Sequence, residues 1–590
     1  MTFTPLDWSI LIGFMLISLG IGIYTARSSG KSSAEFFLSG RNMPWWLLGI
    51  SMVATTFSAD TPNLVTNIVR QDGVAGNWVW WAFLLTGMLT VFVYARLWRR
   101  SGVLTDLEFY EIRYSGKEAA FLRGFRAIYL GVFFNVVIMA SVCLAAIKAG
   151  NILLGLSPWQ TLLISAIVTV VYSSLGGLKG VLLTDFFQFF LAMVGAIGAA
   201  VYILDLPQIN GLESLLAVPS VASKTQFLPD FSEPKAWVGL LVIPLAVQWW
   251  SVWYPGAEPG GGGYVAQRML AAKNERHAMG AAFLFNAAHY ALRPWPWILV
   301  ALASLVVYPT LGDLQQAFPN LDPDVIGNDL AYPAMLSFLP PGLLGIVITS
   351  LAAAFMSTLS SHLNWGASYV VNDVYQRFVK PKASQEELVW VGRSSTAILM
   401  LLAAGMALLL EDALSAFNLL LQIGAGTGLI FILRWFWWRI NAYSEVAAMV
   451  ISFLLAAYFE LLHVKLGFEP LDDHVKLILS VGLTTIGWLA VTWLTPPTDM
   501  NRLTSFYGLI RPSGPGWNIV RATAAKTGKV LPHPEGNLPR QLLAMVLGCL
   551  AIYSALFATG SFLYGEYEQG GILLGITLSC AIFLGRTAVK

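Results

Sequence analysis

The chain has 590 residues, of which 56% are hydrophobic and 12% charged, with a mean hydropathy of +0.66. A soluble domain carries about 25% charged residues, so this composition excludes one and indicates a polytopic membrane protein. A net charge of +2, with no basic tract interleaved with aromatics, excludes nucleic acid as a partner, and the 3 cysteines and 6 histidines lack the spacing of a disulfide framework or a metal site.

Apolar runs long enough to cross about 30 Å of hydrocarbon begin near Leu6, Met43, Asn77, Phe121, Trp159, Val181, Ala236, Ala278, Met335, Leu388, Leu414, Ala442, Lys476, Arg540 and Gly571, which predicts fifteen spans. The first has no basic leader and is followed by Arg27 and Lys31, so it reads as a retained helix rather than a cleaved signal. Basic residues collect on alternate connections, among them Arg96, Arg99, Arg100 and Arg113, then Arg268, Lys273 and Arg276, then Arg502 to Arg540. Asp313, Asp322, Asp324 and Asp329, then Glu469, Asp472 and Asp473, fall on the opposite ones. The positive-inside rule places the amino terminus outside and the carboxyl terminus in the cytoplasm, for a multi-pass plasma (inner) membrane protein.

The second span contains Thr55 to Asn63, a polar stretch with Asp60 and Pro62 at mid-membrane; the seventh contains Trp253, Pro255, Glu258, Pro259 and the glycines 260–263. No continuous helix favours either stretch. They lie five spans apart, which points to an inverted-repeat transporter with its binding site where unwound backbone meets; two unrelated proline kinks are the alternative. The division this predicts is a leading helix and cytoplasmic loop over 1–42 and a first five-helix repeat over 43–204. An extracellular loop over 205–235 leads to the second repeat over 236–438. Two additional helices over 439–495, a cytoplasmic linker over 496–540 with at most a short helix, and two C-terminal helices over 541–590 complete it. In the ninth span Ala354, Ser357, Thr358 and Ser361 share one helical face, with Ser360 beside them. Such hydroxyls either bond back to their own helix and fasten a neighbour, or supply several oxygens to a partly dehydrated hard cation.

At these residues the chain resembles a family. Phe36-Phe37-Leu38-Ser39-Gly40-Arg41, Trp45-Trp46, Gly49 and Ser58-Ala59, the stretch Gly176 to Gly180 leading to Thr184-Asp185 and Gln188, Gln267-Arg268, and Met356 to Ser361 with Asn372 to Tyr375 are similar to the sodium/solute symporters, the group of sodium-coupled sugar, proline and sialic acid carriers. The resemblance implies an all-α, leucine-transporter-type core of five plus five inverted helices, with one preceding and about four following. It implies a main sodium site from the carbonyls of Ala54, Phe57 and Ala354 with the hydroxyls of Ser357 and Thr358. A second sodium site of Asp185, Ser360 and Ser361, sharing Ser357, is implied from some members; the alternative for Asp185 is a surface carboxylate paired with Lys179 or capping a helix.

On the solute side the sequence departs from the family's sugar carriers, with Asp60 and Thr61, next to Thr56, where they have an acid and an amide, and with Trp80 in the following helix. Arg293 lies near the centre of its span, where an unpaired cation is costly, so a partner is expected at Asp60 or Glu258; His289 is one turn earlier on the same face. Trp253 and its aromatic neighbours suit stacking on a sugar ring, or a place in the interfacial belt. The expected function is sodium-coupled symport of a small polar solute, a sugar or sugar derivative, with an organic acid or amino acid as the alternative. The expected partners are that solute, sodium ions and the lipid bilayer, with no obligate protein partner. A passive channel would show pore helices or charge rings, and a membrane enzyme a catalytic cluster; the sequence has neither.

Overall fold

The computed structural model describes residues 3–56, 58–251, 258–319, 321, 326–410, 424 and 426–588. It is helical throughout, and among the described residues the only extended pairing is one bridge between Met43 and Ala272. The main helices are α1 Pro5–Ser29, α2 Trp45–Thr56, α3 Thr61–Asp72, α4 Val74–Ser101, α5 Gly116–Asn151, α6 Pro158–Leu204, α7 Gly263–Ala271, α8 Glu275–Val307, α9 Leu343–Val379, α10 Gln385–Ala407, α11 Ala442–Leu462, α12 Asp473–Leu494, α13 Leu538–Leu563 and α14 Tyr567–Arg586.

Among the described residues, 11 of these are long and apolar enough to cross a membrane. The other predicted spans are merged into one helix, split by breaks or, for the eleventh, largely outside the described residues. At 47 residues α6 is about 70 Å long, more than two bilayer cores need singly, and it holds both the fifth and the sixth predicted spans. It turns at Gly177, where φ is 54° and a side chain would meet the Phe36 carbonyl. The second predicted span is split into α2 and α3, because Pro62 lacks an N–H and fits only the first turn of a new helix. The seventh is split between short helical turns over 234–250 and α7, with 252–257 outside the described residues. Gly260 and Gly261, both at φ near 90°, take backbone conformations that other residues rarely adopt, and they are closely packed as well, since a Cβ there would meet the Tyr94 ring at 3.0 Å and the Met269 methyl at 2.6 Å respectively. The eleventh predicted span falls largely on 411–423, outside the described residues, with helix Gly428–Leu433 at its end.

At the centre α9 packs along α6, with α1 against α6 and α2 against α8; α11 with α12 and α13 with α14 form peripheral hairpins. The most apolar stretch of α9 is 78% buried and that of α14 only 17%, so α9 is the axis of the bundle and α14 faces lipid. Thr4 caps α1 in a reciprocal bond with Asp7, whose carboxylate also accepts from the Gly342 and Gly345 N–H groups at 2.7 and 2.9 Å, fixing one end of α9. The 496–540 segment, where at most one short helix is expected, contains two, Met500–Ile510 and Asn518–Lys526. Leu503, Phe506, Ile510, Trp517 and Val520 are among its buried apolar residues, and the Trp517 indole donates to the Trp435 carbonyl at 2.9 Å.

Candidate cation and solute sites

The hydroxyls of α9 converge on the two helices expected to share a cation with them. Thr358 Oγ1 donates to the Thr55 carbonyl at 2.8 Å, tying α9 to the last turn of α2 beside Ala54. One residue earlier, Ser357 Oγ donates to Asp185 Oδ1 at 2.7 Å on α6. Ala54, Ala354, Ser357 and Thr358 are all buried at this junction; Phe57 lies outside the described residues. Neutral hydroxyls and backbone oxygens at the end of a broken helix are hard ligands suited to an alkali cation, and they disperse when the helices part.

Asp185 is fully buried, so the alternative of an exposed carboxylate on Lys179 does not describe this residue. It accepts from Ser51 of α2 as well as from Ser357, and Arg268 Nη2 of α7 lies 3.7 Å from its Oδ2. The two other hydroxyls expected around it are arranged differently. Ser360 Oγ bonds back to the Ser357 carbonyl at 3.0 Å, while Ser361 Oγ meets Thr55 Oγ1 at 2.7 Å and accepts from Arg268 Nη2 at 2.5 Å. Ser51, Thr55 and Arg268 are therefore parts of this cluster that sequence reasoning missed. Arg268 reads from sequence as one of a basic group with Lys273 and Arg276; the structure corrects this, since its side chain is fully buried while Lys273 and Arg276 are exposed.

The candidate solute site is a cavity of about 60 Å³ between α2, α4, α7 and α8, lined among others by Thr56, Thr86, Tyr264, Asn286 and His289. Two helices widen into π-turns beside it, at Thr90–Tyr94 and Ala288–Leu292, a geometry frequent at functional sites. The second follows from sequence, because Pro294 cannot donate and the Arg293 N–H reaches back to the Ala288 carbonyl instead. Thr56 Oγ1 sits 2.8 Å from the Tyr264 hydroxyl, and Asn286 Nδ2 donates to the Ala282 carbonyl at 2.8 Å, leaving its amide oxygen over Gly87. His289 has its ring edge-on to Trp80 at 5.6 Å and to Tyr290 at 4.5 Å, and Trp80 stacks on Tyr290 at 5.8 Å, so Trp80 stands one layer behind the wall.

Of the two partners expected for Arg293, Glu258 is ruled out. Glu258 lines the cavity but is ion-paired with Arg126 of α5, within a buried network in which Arg126 and Arg434 both reach Glu445 of α11, at 3.9 and 3.4 Å. The competing cation on α5 is simply nearer. Arg293 lies over the Trp297 ring at 5.1 Å, donates to the Val53 carbonyl at 3.3 Å and is in electrostatic reach of Asp60. Asp60 and Thr61 sit at the start of α3, where Thr61 Oγ1 accepts from the Ser58 N–H at 3.4 Å; Asp60, Thr61 and Arg293 do not line the cavity. Trp253 lies outside the described residues.

A model of the sodium:solute symporter family matches residues 36–452, most of the chain. The chain belongs to that family. Sodium is its coupling ion, and the protein is a multi-span membrane transporter with the leucine-transporter-type core. It is 27% identical over 507 residues to a sodium/glucose cotransporter of Vibrio parahaemolyticus, which covers 82% of this chain and 90% of the relative. It is 24% identical over 485 residues to sodium/glucose cotransporter 1 of Oryctolagus cuniculus (76% of this chain, 71% of the relative). With sodium/myo-inositol cotransporter 2 of Bos taurus it is 24% identical over 563 residues (85% and 79%). In fold it is similar to the substrate-bound outward-open state of a Na+-coupled sialic acid symporter, with a TM-score of 0.66 at 20% identity over 84% of this chain and 100% of that one.

Proposed function

We propose that this symporter imports a sugar or other neutral polyol with sodium by alternating access. The observation that carries the reading is the make-up of the cavity wall: among the described residues it offers hydroxyls at Thr56, Thr86, Thr90 and Tyr264, the Asn286 amide and the His289 imidazole, with Glu258 as the one ionic group and no cation. Hydroxyl and amide groups pair with a polyol one for one, and a buried polar site rejects solutes that leave those groups unpaired. A carboxylate solute would require a cation in the wall, and Arg293 does not line it. The names of the relatives, glucose and myo-inositol carriers, support the same solute class.

Sodium at Ala54, Phe57, Ala354, Ser357 and Thr358 holds α2 against α9, and a second ion takes Asp185 with Ser357, Ser360 and Ser361. Import then follows from binding order: ions and solute together close one side, and separation of α2 and α7 from α6 and α9 disperses the ligands on the other. The repeats divide at 43–204 and 236–438, the amino terminus lies outside, the carboxyl terminus inside, and the chain resides in the plasma membrane. The reading is tested by thermal unfolding of the purified chain with sugars, amino acids and organic acids, each in sodium and in potassium. A sugar or polyol should raise the melting temperature in sodium only; stabilisation by a carboxylate solute alone would overturn the assignment.

Asp185→Asn removes the only charged ligand of the second ion, so the sodium-to-solute ratio, read from the reversal potential in proteoliposomes, should fall from about two toward one. A ratio of one in the unmodified chain would return Asp185 to a structural role.

A further inference from the structure

The least expected feature of the cation region is a guanidinium inside it. Arg268 and Asp185 are both fully buried, and the ring of groups around them comes from α2, α6, α7 and α9. Arg268 Nη2 donates to Ser361 at 2.5 Å and to Ser51 at 3.2 Å and lies 3.4 Å from Thr55 Oγ1; Nε reaches Ser51 at 3.3 Å, and Nη1 donates to Gln267 Oε1 at 3.1 Å. Ser51 bonds Asp185 in turn, so one hydroxyl links the guanidinium to the carboxylate. Arg268 thus holds Ser361 and faces Asp185 Oδ2, two of the groups that a second sodium ion would need.

From this geometry we infer that Arg268 is a tethered cation that takes the place of the second sodium ion in the ion-free carrier. The inference rests on the reading of Asp185 as a ligand of that ion. A symporter returns across the membrane without its ions, and a lone carboxylate in that step would be buried without a counter-charge. Arg268 supplies the charge from α7, the second half of the broken span, so the carboxylate keeps a counter-cation with or without sodium. Sodium and the guanidinium compete for Ser361 and Asp185; when sodium enters, Arg268 withdraws to Gln267 and the face of Tyr264, whose ring centre is already 5.7 Å away. The competition lowers apparent sodium affinity by the fraction of time the guanidinium holds the site, and it couples ion binding to the position of α7.

The test needs no solute. Radioactive sodium binding to the purified full-length chain is measured for the unmodified protein, Arg268→Gln, Ser51→Ala and Asp185→Asn, with melting temperatures alongside. Arg268→Gln removes the competitor and should tighten the weaker sodium site by about tenfold, and millimolar guanidinium ion should reverse that gain. Ser51→Ala, a milder change that loosens Arg268 and removes no proposed sodium ligand, should tighten it by about threefold. Unchanged or weaker sodium binding in Arg268→Gln, or in Ser51→Ala if the former does not fold, overturns the inference. Asp185→Asn separates it from the site reading: loss of one bound ion supports the site whatever Arg268 does, whereas an unchanged count and affinity overturns both.

Discussion

Replacing Ser357 and Thr358 together with alanine is expected to raise the sodium concentration for half-maximal uptake by roughly tenfold or more, with the fold intact. Each lost ligand at a desolvated ion should cost about 1–3 kcal/mol, and 1.4 kcal/mol is a factor of ten. The two hydroxyls act on different neighbours, Thr358 on the Thr55 carbonyl and Ser357 on Asp185, so the single substitutions should differ. Thr358→Ala should loosen α2 from α9 and weaken solute binding along with sodium, whereas Ser357→Ala should act mainly through sodium. Uptake assayed over a sodium series at fixed solute gives the answer, and an unchanged sodium dependence in the folded double variant would remove these hydroxyls from the site.

Glu258→Ala is expected to have the largest effect on stability. It leaves Arg126 buried with Glu445 at 3.9 Å as its remaining ion-pair partner, between the rings of Phe431 and Tyr110 at 4.7 and 5.5 Å. Breaking a buried pair by removing one partner costs about 3–5 kcal/mol, because the other charge stays behind without its solvent. Replacing both partners with methionine should recover most of that loss, since apolar residues of similar volume remove the desolvation penalty. Thermal unfolding in detergent reads both. A Glu258→Ala protein as stable as the parent would mean that the carboxylate serves the solute alone and that Arg126 is satisfied by Glu445.

The fold was legible in the sequence because its main determinants are local. Apolar length sets the spans, Pro62 and the glycines at 260–263 set the breaks, and the five-span separation of those two breaks implies the repeat. The hydroxyl face of α9 was legible for the same reason, since helical spacing alone puts Ser357, Thr358 and Ser361 together. Tertiary choices were not legible. Arg268 and Arg126 lie in stretches where a basic residue is normally a topology signal, and nothing local shows that α7 turns inward or that Arg126 meets Glu258 before Arg293 can. The cavity wall was half-legible: Thr56 and His289 were anticipated, while Thr86, Tyr264 and Asn286 are polar residues on apolar helices whose direction only packing decides.

The central claim, coupling of a polyol to sodium through a carrier cycle, is tested most directly by uptake of labelled glucose and myo-inositol into proteoliposomes holding the purified chain. An inward sodium gradient should drive at least one of them to a transient accumulation above equilibrium, and replacing sodium with potassium or dissipating its gradient should abolish that overshoot. Equilibration without accumulation, at the same rate in potassium as in sodium, would contradict the account.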